Sequence, residues 1–454
     1  QNLFFGAGSS VARFYSEALD LWPADDEERP YLLLRHGKAL HPRGGGTDVL
    51  TAAAEQLLDA GDREAAAEAE TLLGEVLWLQ GRQAEAFEHL EGAVALLADE
   101  PASRAKALTL ADLARFRAIG DRAAEAVLVG SEALAMAEAL GLDELRAHTL
   151  NTLGLARVMT GDRSGLDDLQ RSIDISRGLV TYELSRGLNN LASTLVALGE
   201  LDEAHQLYAE SAAVAERLGW TAAILWLVAE QADAHYHRGQ WDEALAVTEK
   251  ILQEAASGER HLREIDAHVI GALIRLDRDD PDGALEHSAA GLEFARESPD
   301  PQTLFPALAC RARVLAELGR REEADEVVRE LLERWRSSPA TLASTWLSYA
   351  CPAIVALGRG EELAAVAKDA LVTTKWLEAG LALAGGDFEK AARVYARIGS
   401  RPDEAHARLR AAETLAEAGR RKEAEQELET ATAFFEEVGA ARYVRMAGEL
   451  LTSS

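Results

Sequence analysis

Cysteine is scarce in this sequence of 454 residues, which contains only Cys310 and Cys351. The two lie far apart in apolar stretches, so neither a disulfide framework nor a thiolate metal site is expected. Apolar runs are also short, because none approaches the ~18 residues that a membrane-spanning helix requires. The first five residues, QNLFF, lack both an initiator Met and the basic region of a signal peptide. We therefore expect a fragment of a longer protein that lies in the reducing cytoplasm.

Basic residues are outnumbered, since 47 Lys and Arg face 77 Asp and Glu and give a formal net charge of −30. A field of that sign repels phosphate backbones and anionic lipid headgroups. Neither nucleic acid nor a membrane is therefore expected as a partner. Hydrophobic residues make up 48% of the sequence, which is enough for an extended core and excludes a disordered chain.

Proline is rare too, with 11 residues, and the abundant Ala and Leu favour helix throughout. Helical stretches of about 16 to 18 residues end at a Gly, and a polar turn then leads into Glu-Ala or Gly-Ala on the next helix. The residues that mark these ends are Gly61, Gly81, Gly120, Gly161, Gly199, Gly239, Asp279, Gly319, Gly358, Gly386 and Gly419. Most are about 40 residues apart, and the last steps are shorter. The spacing indicates an internal repeat of helix pairs.

Small residues flank the markers at fixed distances. They are Gly154, Ala192, Ala232, Ala272 and Ala312 seven positions before a marker, and Ala204, Ala244, Ala284 and Ala324 five positions after one. Small side chains at both places let two helices approach closely, and Gly at the marker takes the left-handed cap conformation that a Cβ would penalise. This pattern resembles the tetratricopeptide repeat, and it predicts an all-α fold, a right-handed α-solenoid of tetratricopeptide-like helix pairs with a period of about 40 residues.

Domain boundaries are soft in a solenoid, because each repeat contacts mainly its neighbours. Residues 1–40 are predicted to be N-terminal helices that form a truncated start of the array. The Gly-rich residues 41–48 are interpreted as a connector, and residues 49–357 as the main array. The short step after Gly358 predicts an irregular unit, followed by C-terminal repeats with a capping helix, at 358–454.

No arrangement of residues predicts catalysis. The Gly-rich stretches at 6–10 and 44–46 lack the Lys of a phosphate-binding loop, and we interpret them as a capping turn and a linker. His235 and His237 are two positions apart, so they face different sides of a helix and do not form the i, i+4 pair that holds zinc. Catalytic residues, cofactors and metals are therefore not expected, and we do not expect this segment to be an enzyme.

The repeat register predicts a groove. In tetratricopeptide solenoids, positions 2, 5, 9 and 12 of each first helix form the concave wall. Counting each marker as position 15 gives these candidate partner-binding residues: His148, Asn151, Arg186, Asn189, Ser193, Trp226, Asp233, Tyr236, Asp266 and Arg313. Position 5 holds Asn, Ala or Val where a clamp for a peptide carboxylate needs Lys, so such a clamp is not expected. Asn151 and Asn189 fit peptide contact and bonding to loop backbone equally well.

Aromatic residues gather at one repeat junction, where Trp220, Trp226, Tyr236 and Trp241 are found. Core packing and ligand contact both remain open for this group, because a large aromatic side chain contributes to either.

Several segments resemble the C-terminal arm of large multidomain bacterial signalling proteins. These proteins join a class III nucleotide cyclase domain and an AAA/STAND-type ATPase module to a long tetratricopeptide tail, and the tails of large ATP-dependent LuxR-type regulators share the helix-pair pattern. The segments are LLLRHGKAL at 32–40, ALAMAEALGLDELRAHTLNTLGLAR at 133–157, LNNLAS at 188–193, RGQWDEALA at 238–246 and RPDEAHARLRAAETLAEAGRRKEAEQELETATAFFEEVGAARYVRMAGELL at 401–451.

The resemblance implies a sensory or assembly arm whose output lies in other domains. Neither the metal-binding Asp pair of the cyclase nor the Walker loop of the ATPase has a matching position here. We therefore predict a non-catalytic protein-interaction and regulatory module of bacterial signal transduction, which binds a protein, a peptide or a neighbouring domain in its concave groove. Two alternatives stay open: a fragment of an enzyme whose missing N-terminal domain is a nucleotide cyclase, and the tail of an ATP-dependent transcriptional regulator. The sequence predicts no oligomeric state.

Overall fold

The described part of the chain is helical. The computed structural model describes residues 3–41, 45–80, 82–120, 122–179, 182–218, 221–257, 263–297, 300–338, 342 and 344–453. Within these ranges 24 α-helices follow one another without a strand, which confirms the predicted all-α solenoid of helix pairs. The chain divides into two compact units, unit 1 with residues 1–158 and 162–183 and unit 2 with residues 159–161 and 184–454.

Unit 1 begins with a long helix. Its described helices are α1 (Leu3–Leu21), α2 (Arg29–Leu40), α3 (Thr47–Asp59), α4 (Arg63–Leu79), α5 (Gln83–Leu96), α6 (Arg104–Ile119), α7 (Ala123–Ala139), α8 (Asp143–Met159) and α9 (Gly165–Arg177). The capping turn expected at residues 6–10 is wrong, because these residues are helical within α1. A helix tolerates an interior Gly at a cost of about 1 kcal/mol. Of the predicted connector, residues 42–44 lie outside the described residues, while Thr47 and Asp48 already belong to α3.

Unit 2 continues the series. Its described helices are α10 (Glu183–Leu198), α11 (Leu201–Leu218), α12 (Thr221–His237), α13 (Trp241–Ser257), α14 (Glu264–Asp277), α15 (Pro281–Glu297), α16 (Pro301–Glu317), α17 (Arg321–Ser337), α18 (Thr345–Ala356), α19 (Gly360–Ala367), α20 (Lys375–Ala384), α21 (Phe388–Ile398), α22 (Arg401–Glu417), α23 (Arg421–Val438) and α24 (Ala441–Ser453). The short step from Gly358 to Gly386 contains α19 and α20, which have 8 and 10 residues. The domain boundaries drawn from the sequence stay predictions.

Left-handed backbone ends helices at most of the predicted markers. The angle φ is positive at Gly61, Gly161, Gly199, Gly239, Asp279, Gly319, Gly358, Gly386 and Gly419. Gly120 is an exception, with φ −92°. A Cβ there would lie 2.9 Å from the carbonyl oxygen of Phe116 and 3.0 Å from Cζ of Phe87, so close contact rather than a left-handed cap requires the glycine. Gly81 lies outside the described residues.

Small residues stand where helices meet, as predicted. Side chains at Ala192, Ala204, Ala244, Ala272, Ala284, Ala312 and Ala324 are fully buried, and Ala232 is nearly so. A close approach also involves Gly154 and Gly165, because a Cβ on Gly154 would lie 2.6 Å from the carbonyl oxygen of Gly165. Ordinary side chains do not fit at that distance, so the sequence spacing locates these helix contacts correctly.

Helices at the end of unit 2 pack against helices near its beginning. We call α10, α12, α14 and α16, the first helices of successive pairs, the inner wall, and we call α20 to α24 the closing helices. The Trp376 indole N–H donates to the carbonyl oxygen of Val196 at 2.7 Å, and Arg442 donates to the carbonyl oxygen of Glu317 at 2.6 Å. A single hydrophobic cluster extends from residue 201 to residue 447. The closing helices therefore cover part of the inner wall.

None of the described helices combines the length and apolar character needed to cross a membrane.

Candidate partner-binding groove

Eight of the ten predicted groove residues lie on the inner wall of unit 2. Arg186, Asn189 and Ser193 are on α10, Trp226, Asp233 and Tyr236 on α12, Asp266 on α14 and Arg313 on α16. Helix α14 packs against both α12 and α16, as the register requires. The other two residues, His148 and Asn151, are on α8 in unit 1.

A charged patch surrounds Trp226 on the inner wall. The Arg263 guanidinium lies over the Trp226 ring at 4.2 Å from its centroid. Arg263 also pairs with Glu230 at 2.8 Å and with Asp266 at 3.1 Å. We call Trp226, Glu230, Arg263 and Asp266 the Trp226 patch. The sequence register missed Glu230 and Arg263, because it considered four positions of each first helix and Arg263 lies just before α14.

Burial determines the acidity of this patch. Removal from water raises the pKa of Glu230 and of Asp266, and the Arg263 charge offsets only part of that effect. The nearby charge of Asp233 raises both values further. Two carboxylates thus share one guanidinium in a partly desolvated space, which leaves the patch with an excess of acceptors.

Among the buried polar atoms of the inner wall that have no hydrogen-bond partner in the described part of the chain, two belong to half-buried side chains of α10 and α12. They are Oδ1 of Asn189, on α10, and Nε1 of Trp226, on α12. The rest of each side chain is half-buried rather than enclosed. Ser193 differs, since its hydroxyl donates to the carbonyl oxygen of Asn190 in the same helix at 3.1 Å. An acceptor and a donor are therefore desolvated on the inner wall without a partner.

Tyr236 and Arg313 are not available at a surface, so their expected role as partner contacts is wrong. Tyr236 is fully buried and stacks on Trp241 with ring centroids 5.9 Å apart. Arg313 is 1% exposed and pairs with Asp277 at 2.8 Å and with Glu317 at 3.1 Å. The closing helices bury both residues. For the aromatic junction, core packing is thus the role of Tyr236 and Trp241, while Trp220 lies outside the described residues.

Asp233 belongs to a buried network that links α12 to α18 and α22. The Tyr349 hydroxyl donates to Asp233 at 3.2 Å, and His237 Nε2 lies 3.6 Å from the same oxygen. His237 Nδ1 lies 2.8 Å from the hydroxyl of Ser400, which donates to Asp403 at 2.5 Å. Burial alone would lower the pKa of His237, but the charge and hydrogen bond of Asp233 and the charge of Asp403 together raise it.

The order Ser400, His237 and Asp233 invites comparison with a nucleophilic triad. Ser400 is fully buried and its proton is committed to Asp403, so no substrate carbonyl reaches its oxygen. The network therefore holds α12 against α22 and α18.

The two predicted residues of unit 1 are largely enclosed. His148 lies 3.5 Å from Asp112 and 3.3 Å from Glu183, and Asn151 is fully buried. Asn151 lies on the side of α8 that faces the core of unit 1, so it is a packing residue. Its expected contact with a partner is therefore wrong.

Two segments match models of the tetratricopeptide repeat, residues 186–218 and residues 382–443. The chain contains tetratricopeptide repeats. The first match covers α10 of the inner wall and α11, and the second covers most of the closing helices. A comparison with curated proteins found no match.

Solved structures include similar folds. A Rap protein complexed with competence and sporulation factor is similar with a TM-score of 0.57 and 15% identity, over 73% of this chain and 96% of that chain. The apo form of RapI gives 0.48 and 11%, over 73% and 98%. A STAND signal-transduction ATPase with a tetratricopeptide-repeat sensor, from Pyrococcus horikoshii, gives 0.42 and 14%, over 68% and 52%. The likeness to the Rap protein shows a shared fold.

Proposed function

We propose that unit 2 binds an extended peptide or protein segment on the inner wall, at α10, α12 and the start of α14. The observation that carries this proposal is that, within the described ranges, the acceptor Oδ1 of Asn189 and the donor Nε1 of Trp226 have no hydrogen-bond partner. A buried polar atom without a partner costs about 1–3 kcal/mol. An extended peptide offers an N–H and a C=O at nearly every residue, so its backbone can pair with both atoms.

The charge of the site favours a neutral or basic partner. The Trp226 patch contains two carboxylates and one guanidinium, and the whole sequence has a formal net charge of −30. Electrostatic complementarity mainly speeds association and excludes wrong partners. We expect an acidic segment to bind poorly.

We also propose that this binding is non-catalytic and serves bacterial signal transduction. The resemblance of the sequence to tetratricopeptide tails of cyclase and STAND-type signalling proteins supports that context. The shared fold with a Rap protein that was solved in complex with competence and sporulation factor supports binding of a separate factor by such an array. Under this proposal, the groove is shorter than the sequence predicts, because the closing helices occupy the inner wall at Tyr236 and Arg313.

A peptide library tests the proposal. Random dodecapeptides displayed on phage are selected on the whole chain, and the enriched peptides are measured by fluorescence anisotropy. The change Trp226→Ala is expected to weaken binding about thirtyfold, because an aromatic anchor contributes about 2 kcal/mol. Helicity by circular dichroism is expected to stay unchanged.

Trp22→Ala is the matched control, since Trp22 is an exposed tryptophan of unit 1. It should leave the Kd of the peptides unchanged. A Trp226→Ala protein with a melting temperature several degrees lower, and with unaltered affinity in its folded fraction, would show that Trp226 is structural. Failure to enrich any peptide would also contradict the proposal.

A further inference from the structure

A cavity of about 220 Å³ lies within unit 2, between α16 and α18 on one side and the closing helices on the other. Its apolar wall includes Val355, Leu383 and Phe388, and small side chains such as that of Ala407 leave the space open. An engineered apolar cavity of about 150 Å³ holds a benzene molecule. The cavity therefore has room for a somewhat larger ring compound.

Tyr395 supplies an unused polar group in the cavity wall. Its side chain is 1% exposed, and its hydroxyl has no hydrogen-bond partner among the described residues. Burial raises the pKa of Tyr395, so the hydroxyl stays protonated and can donate a hydrogen bond. A buried hydroxyl without a partner is costly unless another molecule pairs with it.

Pro352 leaves a second polar group, the carbonyl oxygen of Ser348, without its usual hydrogen-bond donor. It lies inside α18 and has no N–H, so the carbonyl oxygen of Ser348 lacks the donor that a helix normally provides four residues later. Ser348 and Pro352 both line the cavity. The residues of the wall thus include a hydroxyl that can donate and a backbone carbonyl that lacks its usual helical donor.

Charged side chains at the cavity already have partners. Arg313 and Arg442 both pair with Glu317, at 3.1 Å and 3.3 Å, and Asp403 accepts the Ser400 hydroxyl at 2.5 Å. A charged ligand would find no free counter-charge there and would lose its hydration. The chemistry of the wall therefore favours an uncharged ligand.

We propose that this cavity binds a small uncharged organic molecule with a ring-sized apolar body and one hydroxyl or amide group that pairs with Tyr395 or with the carbonyl of Ser348. From the volume, the ligand has roughly eight or nine non-hydrogen atoms. Met446 and Arg410 lie at the edge of the cavity and are partly exposed, which gives a route of entry. The site is separate from the proposed peptide site, because neither α10 nor α12 lines it.

Calorimetry with p-cresol, p-xylene and benzoate on the whole chain tests the proposal. The p-cresol molecule matches the expected size and has one hydroxyl, and we expect it to bind with a Kd of about 0.3 mM. The isosteric p-xylene should bind at least about fivefold more weakly, because it leaves the buried hydroxyl unpaired. Benzoate should bind at least about tenfold more weakly, because its charge has no partner.

Variants of the wall separate this site from any other. Tyr395→Phe should lower the p-cresol affinity about fivefold, to that of p-xylene. Ala407→Leu should abolish binding by filling the cavity, while Ala418→Leu, at the exposed end of the same helix, should leave binding unchanged. Unaltered p-cresol affinity in both Tyr395→Phe and Ala407→Leu would overturn the proposal. So would the absence of binding by both neutral probes near their solubility limits. If Ala407→Leu does not fold, Tyr395→Phe alone decides.

Discussion

Arg313 carries a charge that is almost completely enclosed, and two acidic residues compensate it. Asp277 lies 2.8 Å from its guanidinium and Glu317 lies 3.1 Å away. Burial alone would raise the pKa of Asp277, but the charges of Arg313 and His406 hold that pKa below its ordinary value. Asp277 therefore contributes stability above its unfolded-state pKa of about 3.9, and this contribution is lost as the pH falls from there through the folded-state pKa.

Asp277→Asn should destabilise unit 2 by about 3–5 kcal/mol at pH 7, because it leaves a buried guanidinium without its main partner. Urea unfolding followed by circular dichroism measures this change. The difference in the free energy of unfolding from the unchanged protein should narrow as the pH falls below about 4, because Asp277 then becomes protonated in the unfolded chain before it does so in the folded protein.

Asp279→Asn provides the control two residues away. Asp279 is partly exposed and adopts a left-handed backbone that Asn also accepts. Only a small change is expected there, at any pH. An equal loss in both variants would show that the buried pair contributes nothing specific.

The spacing of small residues in the sequence predicted which residues are in contact within a helix pair. It did not predict which inner-wall residues are covered by helices distant in the sequence. Ala204 and Ala244 are buried as expected, because their contacts are with helices next to them in sequence. Arg313 is buried beside His406, and Asp233 is bonded by Tyr349, in both cases by a residue far away in the chain. The repeat register contains no information about such distant partners.

Helices α8 and α9 show how close an element pair can come. Gly154 faces Gly165, and a Cβ on Gly154 would also lie 2.6 Å from Cγ of Leu169. The backbone on one side of this contact cannot move away without separating the two helices, so the glycine is required by packing.

Gly154→Ala should destabilise unit 1 by about 1–3 kcal/mol through overpacking, although alanine favours helix. Gly92→Ala is the matched control, because Gly92 lies inside α5 and a Cβ added to it would meet no atom within 4 Å. That change should stabilise the protein by about 0.5–1 kcal/mol. Melting temperature and hydrogen exchange of α8 and α9 measure both. If both changes stabilise the protein, the contact between α8 and α9 accommodates the added methyl group, and the prediction is wrong.

At the scale of elements, the sequence predicted helix ends well where a left-handed residue stops the helix. It predicted helix ends less well where packing, rather than a left-handed residue, determines the backbone conformation. At Gly120 a close contact replaces the left-handed cap, and at residues 6–10 a Gly-containing stretch remains helical. In the sequence, both stretches look like a helix cap, because only the packing around them distinguishes them from one.

The covering of the inner wall changes how stability is distributed in unit 2. In a linear array, each repeat is stabilised by its neighbours in sequence. Here Arg442 of α24 donates to the carbonyl oxygen of Glu317 of α16 across 125 residues, and the Tyr443 hydroxyl donates to the Glu317 carboxylate at 2.5 Å. Removal of α24 should therefore destabilise α16, although α16 lies far earlier in the sequence.

Truncation after Gly439 removes α24 and tests this inference. Amide hydrogen exchange should speed up in α14 and α16 as well as in α22 and α23, because the partners of Glu317 are lost. A linear array predicts faster exchange in α22 and α23 alone. Deletion of α1 is the control, and it should leave exchange in α14 and α16 unchanged.

The inner wall is covered by helices that are synthesised much later than α10, and this order affects the nascent protein. The bond from Trp376 to Val196 joins residues 180 positions apart. At about 5–20 residues per second, a ribosome needs roughly 10 to 40 seconds to make the intervening chain. During that interval α10 has been synthesised but the closing helices have not. The nascent chain therefore exposes the apolar surface of α10, to which chaperones can bind. Contacts over such separations also form slowly during folding, so the rate at which newly made chains reach the folded state should depend on when the closing helices have been synthesised.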